Sequence, residues 1–354
     1  MNQIKITGSG HYLPTVVQKN EAFLSQDFIE RDGSTFQSST SEIIEKFQAI
    51  TGIEERKYAP SDLNASDLAT IASEKAIEDA QIDRETLDYI IVAHNFGEVK
   101  SSNRLVDTLP SLASRVKTKL KIQNPNCVAY DILFGCPGWV EGLIQAQAFI
   151  KAGMATKCLI VGADTLSRVF DQEDRDSMIY ADGAGAVVLE KTDEAGGILA
   201  HASQTFTAAG EADYIFFGEG YNAHANGENQ YIKMFGRKVY EFAISKVPLA
   251  MQACFEQTGA SIDQLKKIFI HQANLKMDEA IVKRFYRLYK QQIPEGVLPM
   301  NIQTCGNSSV ATVPTLFDMV KKDQYQGHKL QTGDIILFAS VGAGMNINAV
   351  IYQV

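Results

Sequence analysis

The stretch "CVAYDILFGCPGWVEGLIQAQAFIKAG", residues 127–153, is the strand–turn–helix unit on which the fold prediction rests. Its first part is typical of a buried strand, and Gly135 ends that apolar run. Pro137 stands near the start of the helical pattern and Gly153 just past its end, which is the usual asymmetry of helix boundaries. The unit therefore predicts a long helix that begins directly after Cys136.

The second half of the chain repeats this order of elements at an offset of roughly 170–180 residues. The matching pairs are strands 89–93 and 267–271, strands 158–164 and 335–342, and the turns at Cys136 and Asn307. We predict an α/β fold from two duplicated halves, 1–195 and 196–354, that pack as one body because no Pro/Ser-rich linker separates them. The alternative is an ordinary alternation of strands and helices. The polar segment 18–50 predicts a loop or cap.

Composition and charge exclude several classes of protein. The 354 residues are 45% hydrophobic and 21% charged, as in a globular enzyme, and the net charge of −9 gives no attraction to nucleic acid or anionic membranes. Neither a signal peptide nor an apolar run of about 18 residues is expected from the pattern. The five cysteines and six histidines have no metal-ligand spacing, so we predict reduced thiols, a cytoplasmic location and no metal.

Cys136 has the sequence setting of a nucleophile. The unpaired N–H groups and the dipole at a helix start favour negative charge and lower the pKa of a thiol there. Glycines at 135 and 138 let a substrate approach closely. The alternative is a structural thiol, since free cysteine is among the most buried residue types.

Two other segments place polar side chains at the ends of duplicated elements. His271 follows an apolar strand in "IFIHQAN", and Asn307 lies at a helix start in "TCGNSSVAT". If a pseudo-twofold relates the halves, the helix starts at Cys136 and Asn307 point to one central site. There His271 would act as donor and base, Asn307 as a neutral donor, and Asn274 could orient a neighbour.

These motifs resemble those of the beta-ketoacyl-acyl-carrier-protein synthase III family, condensing enzymes of the thiolase superfamily. The resemblance runs over nearly the whole chain, through "ITGSGHYLP", "TGIEERKYA", "YDILFGCPGW", "LIVGADTLSR", "DGAGAVVLE", "FIHQANLKM", "CGNSSVATVP" and "SVGAGMN". It implies a thiolase-like five-layer αβαβα sandwich and a homodimer. It also implies that no cofactor is needed, with thioesters of coenzyme A or acyl carrier protein as substrates.

By this resemblance, Cys136 takes the acyl group of a thioester primer. His271 and Asn307 would bind the malonyl thioester on its acyl carrier protein and stabilise the enolate as CO2 leaves. The backbone N–H groups of Cys136 and Gly342 would form the oxyanion hole for acyl transfer. The implied product is a 3-oxoacyl-acyl carrier protein. The alternative is a specialised acyltransferase of the same family that passes its acyl group to a non-malonyl acceptor in secondary metabolism.

The resemblance also assigns substrate-binding residues. The family docks its acidic carrier on the helix after "HQAN", where Lys276, Lys283 and Arg284 match; a merely solvated helix is the alternative. Arg175 matches an arginine near the nucleotide, and Leu109 is closest to the residue that reaches the partner subunit's acyl pocket.

One departure from the family concerns the primer. Lys46 and Ile50 stand where the family has the Trp and Arg that hold the adenine end of coenzyme A. A carrier-bound or longer acyl donor is therefore an alternative to acetyl-coenzyme A.

Two other classes of protein are weaker alternatives. The spacing from Cys136 to His271 also occurs in cysteine peptidases, but the residues around this Cys do not match them. A non-catalytic subunit that binds acyl chains would be marked by the loss of the Cys, His or Asn, and all three are present.

Overall fold

The computed structural model describes residues 3–222 and 229–354. Within these residues the strands are β1 (Gln3–Tyr12), β2 (Val16–Lys19), β3 (Glu55–Tyr58), β4 (Tyr89–His94), β5 (Glu98–Val99), β6 (Val106–Asp107), β7 (Val128–Leu133), β8 (Lys157–Thr165), β9 (Asp182–Thr192), β10 (Gly197–Thr205), β11 (Ile215–Glu219), β12 (Gln230–Met234), β13 (Leu265–Ile270), β14 (Ile335–Gly342) and β15 (Asn346–Gln353). The helices are α1 (Thr40–Thr51), α2 (Ala65–Ala80), α3 (Leu112–Lys119), α4 (Gly138–Lys151), α5 (Gly236–Glu256), α6 (Leu275–Leu288), α7 (Ile302–Cys305) and α8 (Thr312–Lys321).

Two larger sheets repeat one strand pattern. The first has the order β1-β9-β8-β4-β7, and the second has the order β10-β15-β14-β13. In both, a parallel pair (β4 with β8, β13 with β14) is followed by an antiparallel pair (β8 with β9, β14 with β15). The first sheet uses residues up to 192 and the second uses residues from 197 onward, so the sheets lie on either side of the predicted boundary between the halves.

Helices α4 and α8 form a central layer between the two sheets. One buried apolar cluster joins Trp139 of α4 and Phe317 of α8 to Ile160 in the first sheet and Phe338 in the second. Trp139 meets Phe338 edge-on, with ring centroids 5.6 Å apart. The helices of this layer are covered by a sheet on each side and are shielded from water. This burial explains why α4 is apolar around most of its surface.

The outer faces of the sheets carry the remaining large helices. Residues of α2 and α3 pack on the first sheet, and residues of α5 and α6 pack on the second. The layers therefore run helix, sheet, helix, sheet, helix, which is the αβαβα sandwich that the family resemblance implies. Among the described residues, no helix combines the length and apolarity needed to cross a bilayer.

The prediction of a loop or cap over residues 18–50 is wrong in part. Helix α1 begins there with a capping box, in which the side chain of Ser39 accepts from the N–H of Glu42 and Glu42 accepts from the N–H of Ser39. Only one side of α1 is apolar, with Ile43 and Ile44 buried, so its polar remainder resembles a loop in the sequence.

Candidate active site

A cavity of about 890 Å³ is lined by residues from both halves of the chain. Cys136, His271 and Asn307 all lie on the wall of this cavity. In the sequence, Cys136 and Asn307 are separated by about half the length of the chain. Much of the remaining wall is apolar, including Phe36, Phe47, Phe96, Leu166, Ile215, Phe216, Phe217 and Ile232. A thiol, an imidazole and a carboxamide in a largely apolar cavity suit a substrate with a hydrocarbon chain and a polar reacting group.

Two glycines bring the turn of Cys136 against the turn that ends β14. Gly135 has a φ of +68°, and a Cβ there would lie 2.7 Å from the backbone N of Ala343. A Cβ on Gly342 would lie 2.5 Å from the backbone N of Cys136. Side chains at either position would push the turns apart. Gly342 therefore lies in close contact with Cys136, although it is not among the residues that line the cavity, and the oxyanion hole formed by their two N–H groups stays a prediction.

The environment of the Cys136 thiol opposes its ionisation. The residue is half-buried, and burial raises the pKa of the thiol to about 11; the hydrogen bond from Ser309 lowers it, and the charge of Asp164 raises it further. The expectation that the helix start lowers this pKa is therefore wrong, because the loss of water around the sulfur dominates. The resting thiol is protonated at neutral pH, so its proton must move to a base when it attacks.

His271 is a neutral base at the end of β13. Burial lowers the pKa of its imidazole to about 4. Its Nδ1 lies 2.8 Å from Oγ1 of Thr312, and that hydroxyl donates its hydrogen to the carbonyl of Ser309 (3.0 Å). We assign the proton to Nδ1 from this network, since Oγ1 has only a lone pair left to offer. The free lone pair of His271 is then on Nε2.

Asn307 is held by its neighbours with its amide nitrogen available. Its backbone N–H donates to Ile179 (3.0 Å), and its carbonyl accepts from Ala181 (2.8 Å). Its side-chain Oδ1 accepts from the N–H of Ser309 (2.8 Å), which fixes the orientation of the amide. The Nδ2 group is left as a neutral donor on a residue that lines the cavity.

Two further predicted residues also lie on the cavity wall. Asn274 caps α6, where its side chain accepts from the N–H of Met277 (3.1 Å). The side-chain oxygen Oδ1 of Asn274 is therefore occupied by this cap hydrogen bond, and its side-chain nitrogen Nδ2 is the donor left on this cavity-lining residue. Arg175 places its guanidinium 5.1 Å from the ring centroid of Phe36, which also lines the cavity.

The other predicted residues lie outside the cavity. Lys276, Lys283 and Arg284 are exposed on α6, and Arg284 donates to the carbonyl of Ile244 (3.0 Å). Leu109 is 84% exposed and does not belong to the cavity of this chain. Its predicted contact is with a partner subunit, so its role stays a prediction.

Ser309 and Thr312 are site residues that the sequence prediction missed. They lie two and five positions after Asn307 in "GNSSVAT", and their hydroxyls contact Cys136 and His271. Short polar side chains near a catalytic residue are a signal for such contacts, but small hydroxyl residues are common at helix starts. Among the described residues, no group of His, Cys, Asp and Glu could hold a metal ion.

Fold and site together define a class of enzyme. The fold is a five-layer αβαβα sandwich, and a cysteine stands at the start of one of its central helices with His and Asn on the same cavity wall. This combination defines a thiolase-like condensing acyltransferase. The family profile "3-Oxoacyl-[acyl-carrier-protein (ACP)] synthase III" matches residues 130–206, and its C-terminal counterpart matches 255–354. The chain belongs to the beta-ketoacyl-acyl-carrier-protein synthase III family.

Known relatives match over the full length of the chain. The chain is 32% identical to a beta-ketoacyl-acyl-carrier-protein synthase III of Clostridium beijerinckii over 100% of both chains. It is 30% identical to that of Porphyra purpurea over 99% of both. The crystal structure of 3-oxoacyl-acyl-carrier-protein synthase III from Aquifex aeolicus superposes with a TM-score of 0.82, at 28% identity over 99% of this chain and 100% of that one.

Proposed function

We propose that the protein condenses an acyl thioester primer with malonyl-acyl carrier protein, releasing CO2 and forming a 3-oxoacyl-acyl carrier protein in fatty acid biosynthesis. The observation that carries this proposal is the placement of Cys136, His271 and Asn307 on one cavity wall. Family membership supports it, because the relatives are named as enzymes of this reaction type.

The first half-reaction forms the acyl-enzyme. The sulfur of Cys136 attacks the thioester carbonyl of the primer, and Nε2 of His271 takes the thiol proton. The backbone N–H groups of Cys136 and Gly342 stabilise the oxyanion of the tetrahedral intermediate. The carbon–sulfur bond of the primer then breaks, and the leaving thiolate takes its proton from solvent. Splitting the reaction in this way gives ping-pong kinetics.

The second half-reaction makes the carbon–carbon bond. The carbonyl oxygen of the malonyl thioester accepts hydrogen bonds from Nε2 of His271, which now carries the proton, and from Nδ2 of Asn307. As CO2 leaves, the electron pair of the broken bond forms an enolate whose charge lies on that oxygen. The enolate carbon attacks the acyl-Cys136 carbonyl, the carbon–sulfur bond breaks, and the thiolate recovers its proton from His271.

Product analysis tests this function. The enzyme, an acyl thioester and malonyl-acyl carrier protein should yield 3-oxoacyl-acyl carrier protein and one CO2 for each product molecule. Unmalonylated carrier is the matched control and should give neither. Transfer of the acyl group to an oxygen or nitrogen acceptor without CO2 release would instead favour the specialised acyltransferase.

The carrier is proposed to dock on α6. Lys276, Lys283 and Arg284 are exposed there, while Met277 and Phe285 on the other side of the helix are buried. On a chain with a net charge of −9, an exposed basic cluster is the feature that attracts an acidic partner. Asn274, which lines the cavity, caps the same helix, so the carrier would sit next to the active site.

Reversing the charges of Lys283 and Arg284 to Glu should raise KM for malonyl-acyl carrier protein, by about tenfold or more at low salt. The change in kcat should be smaller, because neither side chain lines the cavity. Steady-state kinetics over a carrier titration measure both. The double variant Lys191→Glu with Lys266→Glu is the matched control. Both lysines are exposed, and this double variant changes the net charge of the protein by the same amount as the reversal of Lys283 and Arg284. Equal KM values for the two double variants would contradict carrier docking on α6.

The primer site is proposed to accept thioesters of coenzyme A or of a carrier. Arg175 and Phe36 line the cavity and form a cation–π pair, which offers both charge and an aromatic face. Lys46, in the position of the family's Trp, donates to Oγ of Ser38 (3.3 Å), and Ile50 is 50% exposed. A screen of acyl thioesters, read as acylation of Cys136, distinguishes the two kinds of donor.

A homodimer through the edge of the first sheet is also proposed. Strand β7 is the last strand of that sheet, and its Val128 and Leu133 are 47% and 67% exposed. An unprotected edge strand with exposed apolar side chains favours pairing with a second copy. Leu109 belongs to an exposed apolar segment of the same half and would reach the partner subunit's acyl pocket.

Leu133→Glu should convert the dimer to monomers, because two like charges would be brought close together at the paired edge. Sedimentation or light scattering at micromolar concentration measures the change in mass. Leu249→Glu is the control, since Leu249 is 51% exposed on α5, far from β7 in the layer order. A wild-type protein that is monomeric at these concentrations would contradict the dimer.

A cytoplasmic location is proposed from the cysteines. All five are free, and the proposed nucleophile among them must stay reduced to act. Fractionation of source cells, with the chain detected in the cytoplasmic fraction, tests this location.

A further inference from the structure

Ser309 is connected to all three proposed catalytic residues. Its hydroxyl lies 3.4 Å from the sulfur of Cys136, and its backbone N–H donates to Oδ1 of Asn307 (2.8 Å). Its carbonyl accepts from Thr312 (3.0 Å), and the oxygen of that hydroxyl contacts Nδ1 of His271 (2.8 Å). The Ser309 side chain is therefore placed by the same backbone that orients the other two groups.

The backbone of Ser309 adopts a conformation that non-glycine residues rarely adopt. Its φ is +54°, in the left-handed region, and the residue is buried. Such a conformation costs free energy and persists where the surrounding contacts over-determine it. A glycine would fit the same backbone with less strain, but it could not supply a hydroxyl.

Asn95 and Asp164 fix the direction in which the hydroxyl of Ser309 donates. The side-chain nitrogen of Asn95 donates to Oδ2 of Asp164 (2.6 Å) and to Oγ of Ser309 (2.7 Å). The backbone N–H of Asn95 donates to Oδ1 of Asp164 (2.9 Å), which anchors the amide. An amide nitrogen only donates, so Oγ of Ser309 accepts from Asn95, and its own hydrogen is left for the sulfur of Cys136 (3.4 Å) and for the carboxylate of Asp164, with which Ser309 also interacts.

We propose that Ser309 is a positioning residue whose hydroxyl stabilises the thiolate of Cys136, with Asn95 and Asp164 holding that hydroxyl in its donating direction. The inference rests on the proposed function in so far as Cys136 is the nucleophile. A hydrogen bond donated to sulfur strengthens when the sulfur becomes negative, so it favours the thiolate over the thiol.

None of the other ionisable groups described around Cys136 stabilises its thiolate in the resting site, so the hydrogen bond from the Ser309 hydroxyl matters more. Asp164 on β8 raises the pKa of the thiol through its charge, and Tyr180 before β9 interacts electrostatically with Cys136. His271 after β13 is buried and neutral at pH 7. Burial and Asp164 both disfavour the thiolate, and the hydroxyl of Ser309 acts in the opposite direction.

The pH dependence of Cys136 alkylation tests the proposal. Iodoacetamide reacts with the thiolate, and peptide mass spectrometry reads Cys136 separately from the four other cysteines. Ser309→Ala should move the midpoint of the rate profile up by about one pKa unit, so that alkylation below both midpoints slows about tenfold. Ser309→Gly should show the same shift, although it relaxes the backbone. Asn95→Ala should give a smaller shift in the same direction.

Ser308→Ala is the matched control, since Ser308 is a buried neighbour without a contact to the sulfur, and its profile should equal that of the wild type. An unchanged midpoint in Ser309→Ala overturns the proposal. A shift in Ser309→Ala that is absent from Ser309→Gly also overturns it, because backbone strain would then be the cause. The assay uses neither acyl donor nor carrier, so a failure of the proposed condensation would be a separate result.

Discussion

Asn307→Ala should lower the rate of CO2 release from malonyl-acyl carrier protein about 10²–10³-fold, which corresponds to a loss of about 3–4 kcal/mol of transition-state stabilisation. The amide of Asn307 is fixed through its oxygen by the N–H of Ser309 (2.8 Å), so its nitrogen is a pre-oriented donor for the developing enolate. Removing that donor affects the step in which charge appears on the thioester oxygen. Release of labelled CO2 measures the effect directly.

The same variant should still form the acyl-enzyme. The proposed acylation step uses Cys136, His271 and the backbone oxyanion hole, and none of its bonds passes through the Asn307 amide. Acylation of Cys136 by a primer thioester in Asn307→Ala is therefore the internal control. A parallel fall of acylation and decarboxylation would show that Asn307 holds the site together, and would contradict its role as enolate donor.

Cys136→Ala should abolish both acylation and 3-oxoacyl product, because no other described thiol lines the cavity. The variant should keep a slower but measurable decarboxylation of malonyl-acyl carrier protein, since the amide donor of Asn307 remains while Nε2 of His271 receives no proton from a thiol. The enolate then takes up a proton and gives acetyl-acyl carrier protein. Intact-mass spectrometry of protein and carrier measures both outcomes.

Cys254→Ala is the matched control for this loss. Cys254 is buried on α5 in the outer helix layer, so its replacement removes a thiol without touching the cavity. Acyl transfer should continue in that variant. An acyl adduct that persists in Cys136→Ala and disappears in Cys254→Ala would contradict the assignment of the nucleophile.

The fold could be predicted because its signals are local and repeated. Strand β14 has the predicted bounds, and α4 begins one residue after Pro137, where the sequence places its start. The five-layer order followed from the resemblance, and the apolar surface of α4 agrees with a helix that is covered on both sides. Helix α1 also has a local signal, the capping box of Ser39 and Glu42, but the polar segment before it and the polar side of the helix favour a loop in the sequence.

The site could be predicted in its residue types but not in its energetics. Cys136, His271 and Asn307 stand at element ends that the duplication relates, so their convergence on one cavity could be expected. The raised pKa of Cys136 depends on burial by distant segments and on Asp164, and a helix-start pattern contains neither. The role of Ser309 depends on a backbone φ of +54°, which no motif in "GNSSVAT" reveals.

The central claim is that Cys136, His271 and Asn307 act on the same acyl group in succession, and a single-turnover chase tests it most directly. The wild-type protein is first mixed with an acyl thioester, and then malonyl-acyl carrier protein is added while the mass of the Cys136 peptide is followed. The account predicts one acyl mass on Cys136 that disappears after the addition, at the rate at which CO2 and 3-oxoacyl-acyl carrier protein appear. An adduct on another residue, or an acyl-Cys136 that survives the chase, would contradict it.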